Sequence, residues 1–384
     1  MFQLVLRRIL SIRVLSAIIL YCVSGLYGCS SQTYIPKPQI TTSQKPDNDN
    51  LIFVDVTLKQ TDKVGQPIWS VNTKRAVYTK NKQVGRVDNL YGELYQDGQV
   101  VYQIQSDTAD IKQDDKKLFL RGKITAIDPK SGVILRGDEL EWKPQKDLLI
   151  IRKQINGTHK KLKAIAQEAR VKTRSQRIDF SGGVVVDSID PPLKIRTQHL
   201  TWQIRQGKFI TSHAIKIDHF KNKQIAGCVR GAAAELDLQS KIARITKNAQ
   251  IYLLEPLMKI TSKEMTWDIN THTVSSNTSI RVFQKSENIK VTGNYGKLKI
   301  PQKILSLGGG VYITAQHVQF IKSQKLTWLL DKNSIEALGD VVYKQVKPSL
   351  TFNGDKAVGN LKIGHMVISG GNSRKSVVLE ILPQ

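Results

Sequence analysis

The chain has 384 residues, enough for two or three ordinary domains or one long repetitive one, and its 40% hydrophobic content suffices for a folded core. Lysine and arginine number 58 against 32 acidic residues, a formal net charge of +26. That balance favours polyanions (nucleic acid, anionic head groups, phosphorylated glycolipid), although a solvated, self-repelling surface accounts for it equally well. Three cysteines at Cys22, Cys29 and Cys228 rule out a disulfide scaffold, because the first two fall in a targeting segment and its boundary.

Residues 1–28 read as that targeting segment. Arg7, Arg8 and Arg13 form a basic start, and Val14–Tyr27 is an apolar run too short to span a bilayer comfortably. It ends in Leu26-Tyr27-Gly28-Cys29, which resembles the lipobox of bacterial lipoproteins. In those proteins the chain is cut before the cysteine and its sulfur carries a diacylglycerol, so Cys29 is the expected lipid anchor. The alternative is an uncleaved N-terminal anchor over residues 2–27. Either places the rest of the chain outside the cytoplasm, on a membrane. Residues 29–50 are polar and carry Pro36, Pro38 and Pro46, as in a flexible tether.

From residue 51 onward short apolar runs alternate with polar residues and break at Gly, Asn, Asp and Pro, so strands are expected throughout. A short helix over Ala164–Ala169 is a weaker competitor. The tryptophans act as rulers. Trp142, Trp202, Trp267 and Trp328 each end a Leu-Thr-Trp-like triplet, and nineteen or twenty residues before them stand Gly122, Gly182, Lys247 and Gly309. A further copy carries Gly370, so the frame recurs after 60, 65, 62 and 61 residues. Apolar residues flank each glycine at strand spacing, and a glycine inside such a row implies close backbone approach or a sharp bend. Lys247 in that place implies a shallower bend or a lysine carried outward at a bulge. The expectation is an all-β, elongated, twisted roll of ~61-residue repeats with stacked tryptophans filling its width. The segment around Trp69 reads as an incomplete leading unit, and open strand edges at the ends invite pairing with other β proteins.

Catalytic signatures are missing from the sequence: no HExxH, CxxC, GxSxG, Walker A or GxGxxG stands on a suitable element, and no catalytic carboxylate pair is evident. No enzyme activity, cofactor or metal is expected. The seven histidines lack ligand spacing, and His213 and His219, if on one strand, would lie about 20 Å apart. Cys228 reads as a small buried strand residue. Nucleic acid is a poor fit to a secreted, anchored chain without a basic-aromatic recognition motif.

Residues 51–155 carry VDVTLKQTDKVGQPIWSVNTKRAVY, LYGELYQDGQVVYQIQSDTADI, KKLFLRGKITA and GVILRGDELEWKPQKDLLI in order. This stretch resembles the LptC family of periplasmic lipopolysaccharide-export proteins, and residues 156–384 resemble the related LptA/OstA-type β-jellyroll repeats continuing the same roll. The resemblance implies a non-enzymatic carrier whose groove holds acyl chains of lipopolysaccharide or a related glycolipid. It implies loading by an inner-membrane ABC transporter and delivery to other β-jellyroll export proteins by edge-strand pairing. Two departures stand out: a lipobox-like end in place of one transmembrane helix, and about twice the usual length, which would let one roll bridge more of the periplasm. Candidate groove residues beside the glycines are Leu118, Leu120, Ile124, Phe180, Val184, Leu307 and Val311. The rival reading is a structural lipoprotein that spaces or scaffolds the envelope without cargo.

Overall fold

In most strands a buried side chain follows one that is not. Ile178, Phe180, Val184 and Val186 face inward while Arg177, Asp179 and Val185 do not, the period-two signature of a sheet with one face on a core. The computed structural model describes residues 50–384 apart from 80–83, 115–116, 317, 346–348, 371–378 and 382–384. The targeting segment, Cys29 and all but the last residue of the tether lie outside the described residues.

Among the described residues twenty-six strands, joined by antiparallel pairings, make one sheet that folds over on itself as an elongated β-jellyroll. The described residues include one 3-10 turn, Pro144–Lys146, and no α-helix. The stretch weighed as a helix is the strand Leu162–Lys172, paired on both edges. Residues 49–384 form one compact unit, and a single hydrophobic cluster inside it runs from Trp69 to Ile368. No break falls near residue 155, where the strand Leu148–His159 pairs with both neighbours.

The structural period is half the sequence period. Four-residue turns begin at Thr173, Ile204, Leu238, Ile269, Ile300, Leu330 and Leu361, about every 31 residues. From Ile204 onward, the first residue of each turn donates its N–H to the carbonyl of the last residue of the turn before, at 2.8–3.1 Å. That last residue is left-handed every time: Gln176, Gly207, Lys241, His272, Lys303, Asn333 and Gly364. Two positions before the 3-10 turn at Pro144 and then before each of these seven turns stand Trp142, Val171, Trp202, Leu236, Trp267, Leu298, Trp328 and Gly359 in succession. Large rings thus alternate with smaller residues along one seam, as close packing of stacked layers demands. This doubles the period visible in the sequence.

The glycines mark corners. Strands pass from one half of the roll to the other through bulges with left-handed residues at Gly122, Lys153–Gln154, Gly182–Gly183, Lys247–Asn248, Gly309–Gly310 and Gly339–Asp340. Pairing registers slip at or beside these points. At Gly122 a Cβ would stand 2.3 Å from the Thr108 carbonyl oxygen, so the backbone approach excludes any side chain. Lys247 takes the second option of the sequence reading: it is exposed at a bulge, left-handed like its glycine counterparts.

Candidate functional site

Between residues 208 and 299 four of the six long strands are broken, while Ile242–Leu253 and Met258–Asp268 run through. Lys208–Thr211 and Ile215–Lys221 together replace one strand; Gln224–Gly231 with Ala233–Asp237, Thr273–Ser276 with Ile280–Gln284, and Ile289–Gly293 with Tyr295–Lys299 do the same. In this stretch the roll contains a cavity of about 910 Å³. Its walls include Val229, Ile251, Leu253, Trp267, Val274 and Leu298. Turns from two opposed rows frame it: residues 190–192, 221–224 and 254–255 on one side, 269–272 and 300–303 on the other. The size falls within the range of pockets that enclose a small-molecule or lipid tail.

Basic groups border this mouth. Lys241, His272 and Lys303 share the last position of successive turns, so the 31-residue period aligns them at steps of about 10 Å, two strand spacings. Lys241 Nζ lies 3.0 Å from Asp190 Oδ1, and Lys303 Nζ 3.0 Å from Asp331 Oδ1. The Asp190–Lys241 pair spans 51 residues and ties the two turn rows together at one end of the cavity. Arg174–Asp97 and Lys362–Glu287 are further ties between distant turns. Hydrogen bonds from Lys241 and Lys161 hold the Asp190 carboxyl below its ordinary value. Such exposed pairs are individually weak, so a phosphate can take over their cations at little cost.

The His219 imidazole stands edge-on to Trp267 at 5.5 Å and 5.5 Å from His272. Burial, then the neighbouring His272 and Lys221, pushes its pKa below the ordinary 6.5. His199 and His213 stack 5.5 Å apart elsewhere. The expected single strand carrying His213 and His219 is therefore corrected: His213 lies in the break between Thr211 and Ile215, and each histidine pairs across the sheet instead. Cross-strand register is invisible to spacing along one chain. The described residues contain no group of three metal-ligating side chains. Cys228 is a half-buried strand residue, its thiol pKa raised by burial.

All seven sequence-predicted groove residues point inward, and none is more than 3% exposed. They form three separate groups. Leu118 and Leu120 pair with Trp142 and Leu140, Phe180 with Ala169 and Leu200, and Leu307 with Gly296 and Leu326. Ile124, Val184 and Val311 sit beyond the adjacent corners. None of the seven borders the 910 Å³ cavity. The signal that marks its walls is the position two before each turn, which supplies Trp267 and Leu298.

The sequence profile of the family described as lipopolysaccharide-assembly, LptC-related, matches residues 16–149 and again residues 135–255. The chain belongs to this LptC-related family. The two matches fall in tandem, in keeping with a roll built from repeated units, and the sheet continues without a break past the end of the second. The family is a non-enzymatic component of lipopolysaccharide transport and assembly, which gives this protein its role in the cell envelope. No curated protein matches the chain.

Proposed function

We propose that this LptC-related protein is a periplasmic carrier that shelters lipopolysaccharide acyl chains inside its β-jellyroll. It takes lipid from an inner-membrane ABC transporter and passes it toward the outer membrane. The observation that carries this reading is the apolar cavity of about 910 Å³ framed by Lys221, Lys241 and Lys303. Exposing an acyl chain to water costs about 0.8 kcal/mol per CH₂, roughly 10 kcal/mol for twelve carbons. An apolar wall beside cations suits a molecule with fatty tails and phosphates. Among the described residues the strand Asn50–Thr61 has one partner strand, and Leu51, Ile52, Phe53 and Val54 on it are 42–70% exposed. Such an edge supports hand-over by strand pairing with another jellyroll. Anchoring at Cys29, or by an uncleaved segment, keeps the protein on the inner membrane; intact mass of the purified protein reads the diacylglycerol directly.

Photo-crosslinking amino acids at Leu253 and Leu298 test the carrier reading in living cells. Lipopolysaccharide adducts are expected at both, with fewer at Leu118 and Leu307 in the closed core. A lack of adducts at all four positions rejects the carrier and leaves the second reading, an envelope-spacing rod. The close packing of the seven predicted groove residues favours that second reading.

A further inference from the structure

Two neighbouring rungs cross the outside of the roll beneath the cavity. One reads Arg230, Gln250, Thr261, Arg281, Thr292, Tyr312, Lys322 from strand to strand; the other reads Cys228, Tyr252, Lys259, Phe283, Lys290, Thr314. The residues between them, Val229, Ile251, Ile260, Val282, Val291, Ile313 and Ile321, are at most 6% exposed, which fixes both rungs on the outer face. The thirteen positions carry five cations and three aromatics and no carboxylate. Among the described residues none of the five cations is in an ion pair; Asp218, at the border of the face, is taken by Arg196 and Lys216.

The aromatic rings are set among the charges. The Arg230 guanidinium lies 5.1 Å and the Lys259 ammonium 5.5 Å from the Tyr252 ring centre. Phe283, 38% exposed, has Lys259 and Lys290 as its cross-strand neighbours. Tyr312, 40% exposed, stacks on Phe320, over which Lys322 sits at 5.3 Å. The preceding strands differ on the same outer side: Asp187 there engages Lys194, and Asp218 engages Arg196 and Lys216. Along this side the paired charges thus give way at Arg230 to cations without ion-pair partners among the described residues.

We propose that this face docks the roll on the surface of an anionic phospholipid bilayer. Lysine and arginine meet the head groups, while Phe283, Tyr252 and Tyr312 sit at head-group depth, where amphipathic rings are most stable. Charge complementarity selects the partner, because the cations of the face have no counter-charge among the described residues. Sheet twist turns successive strands by about 20°, so contact centres on the five strands from Arg230 to Lys290, about 19 Å across. Docking there lays the cavity region beside a membrane rather than out in the periplasm.

Residues 49–384 contain every described strand and the entire described core, so this portion serves for the test without the apolar N-terminal segment. Co-sedimentation is measured with vesicles of phosphatidylcholine and with vesicles of 3:1 phosphatidylcholine to phosphatidylglycerol, at about 0.1 M salt. Binding to the anionic vesicles only is expected. The triple variant Lys259→Glu, Arg281→Glu, Lys290→Glu is expected to bind roughly 100-fold more weakly, at an unchanged melting temperature. The control triple Lys130→Glu, Lys160→Glu, Lys163→Glu carries the same charge change elsewhere and is expected to lose less than about 10-fold. A photo-crosslinker at Phe283 adds an arm that leaves the charges intact, with phosphatidylglycerol adducts expected. Equal losses in both triples mean that net charge alone attracts the vesicles, and overturn the proposal. So does binding to lipopolysaccharide micelles without binding to anionic vesicles, or a Phe283 crosslink to protein alone in cells.

Discussion

The first part of the roll, from Trp69 to about Val186, and its middle, from Asp190 to Leu330, are built from the same unit but differ in three ways. The first has unbroken strands, a core in which Trp69, Leu118, Leu120, Leu140, Trp142 and Ile151 are wholly buried, and an outer face of paired charges. The middle has four broken strands among its long ones, a cavity of about 910 Å³ and, on the other half of the roll, an outer face of cations without ion pairs among the described residues. One repeat can therefore serve as a rigid spacer or a receptive segment, depending on whether its strands run through the corner. Breaking a strand forfeits ladder hydrogen bonds and close packing locally, and releases volume inside.

Core truncation is the strongest way to break the comparison. Trp142 is fully buried and its indole N–H donates to the Ile68 carbonyl at 3.2 Å. Trp142→Ala is expected to cost about 3–5 kcal/mol. Trp267 occupies the equivalent seam position but faces the cavity, and its indole N–H meets no acceptor among the described residues. Trp267→Ala is expected to cost about 1–2 kcal/mol less, since one side of the ring already lacks packed neighbours. Denaturant unfolding of the two variants measures the difference; equal costs would mean that the middle is as well packed as the start.

Corners come next. Gly122 has φ +152° with the Thr108 carbonyl against the place of a Cβ, so Gly122→Ala is expected to cost about 2–3 kcal/mol. Gly310 has φ +85° and open space around its missing Cβ, so Gly310→Asn should cost less than about 1 kcal/mol. Thermal unfolding ranks the two. The natural Lys247–Asn248 corner already shows that a left-handed corner accommodates side chains.

Surface charge has a smaller effect. Arg152 donates to both Glu141 and Glu168 and is 30% exposed. Arg152→Met should cost up to about 1 kcal/mol, while the same change at Arg281, which has no ion-pair partner among the described residues, should be neutral. A double-mutant cycle with Glu141→Gln gives the coupling.

Much of this was legible in the sequence. The strands, the roll and the corner positions follow from period-two alternation and from glycines in register with the tryptophans. The family followed from ordered motifs in residues 51–155, and the profile match extends past them. Two things were hidden. The 31-residue period was masked because Val171, Leu236 and Leu298 stand where the tryptophan frame expects no landmark. The cavity was hidden because strand breaks at residues 212–214 and 277–279 depend on which neighbours pair across the sheet. The rule that placed groove residues beside glycines selected corners, and corners are where the two halves of the roll close on each other.

The finest probe is pH, because each part carries its own titrating groups. In the first part, burial raises Glu141 and Glu168, but hydrogen bonds from Lys143, Arg152 and Arg170 outweigh it and leave both below the ordinary 4.5. A hydrogen bond from Lys153 lowers Glu139 likewise. Their stabilisation is present above about pH 4.5 and is lost as pH falls through the lower folded values. In the middle, burial lowers His219, so the unfolded chain takes up its proton first. Stability there falls as pH drops below about 6.5 and levels off beneath the folded value. His159, lowered by burial and by Lys160, lies tilted against Trp202 at 5.2 Å and adds to the same window at the junction. Hydrogen exchange between about pH 7 and pH 5, corrected for intrinsic rates, should therefore show lost protection in peptides around Trp202, His219 and Trp267. Peptides spanning residues 135–152 should hold until pH falls below about 4.5, and His219→Gln should flatten the middle's response. Uniform loss along the whole roll would mean that the two parts unfold as one unit and that the cavity confers no local softness.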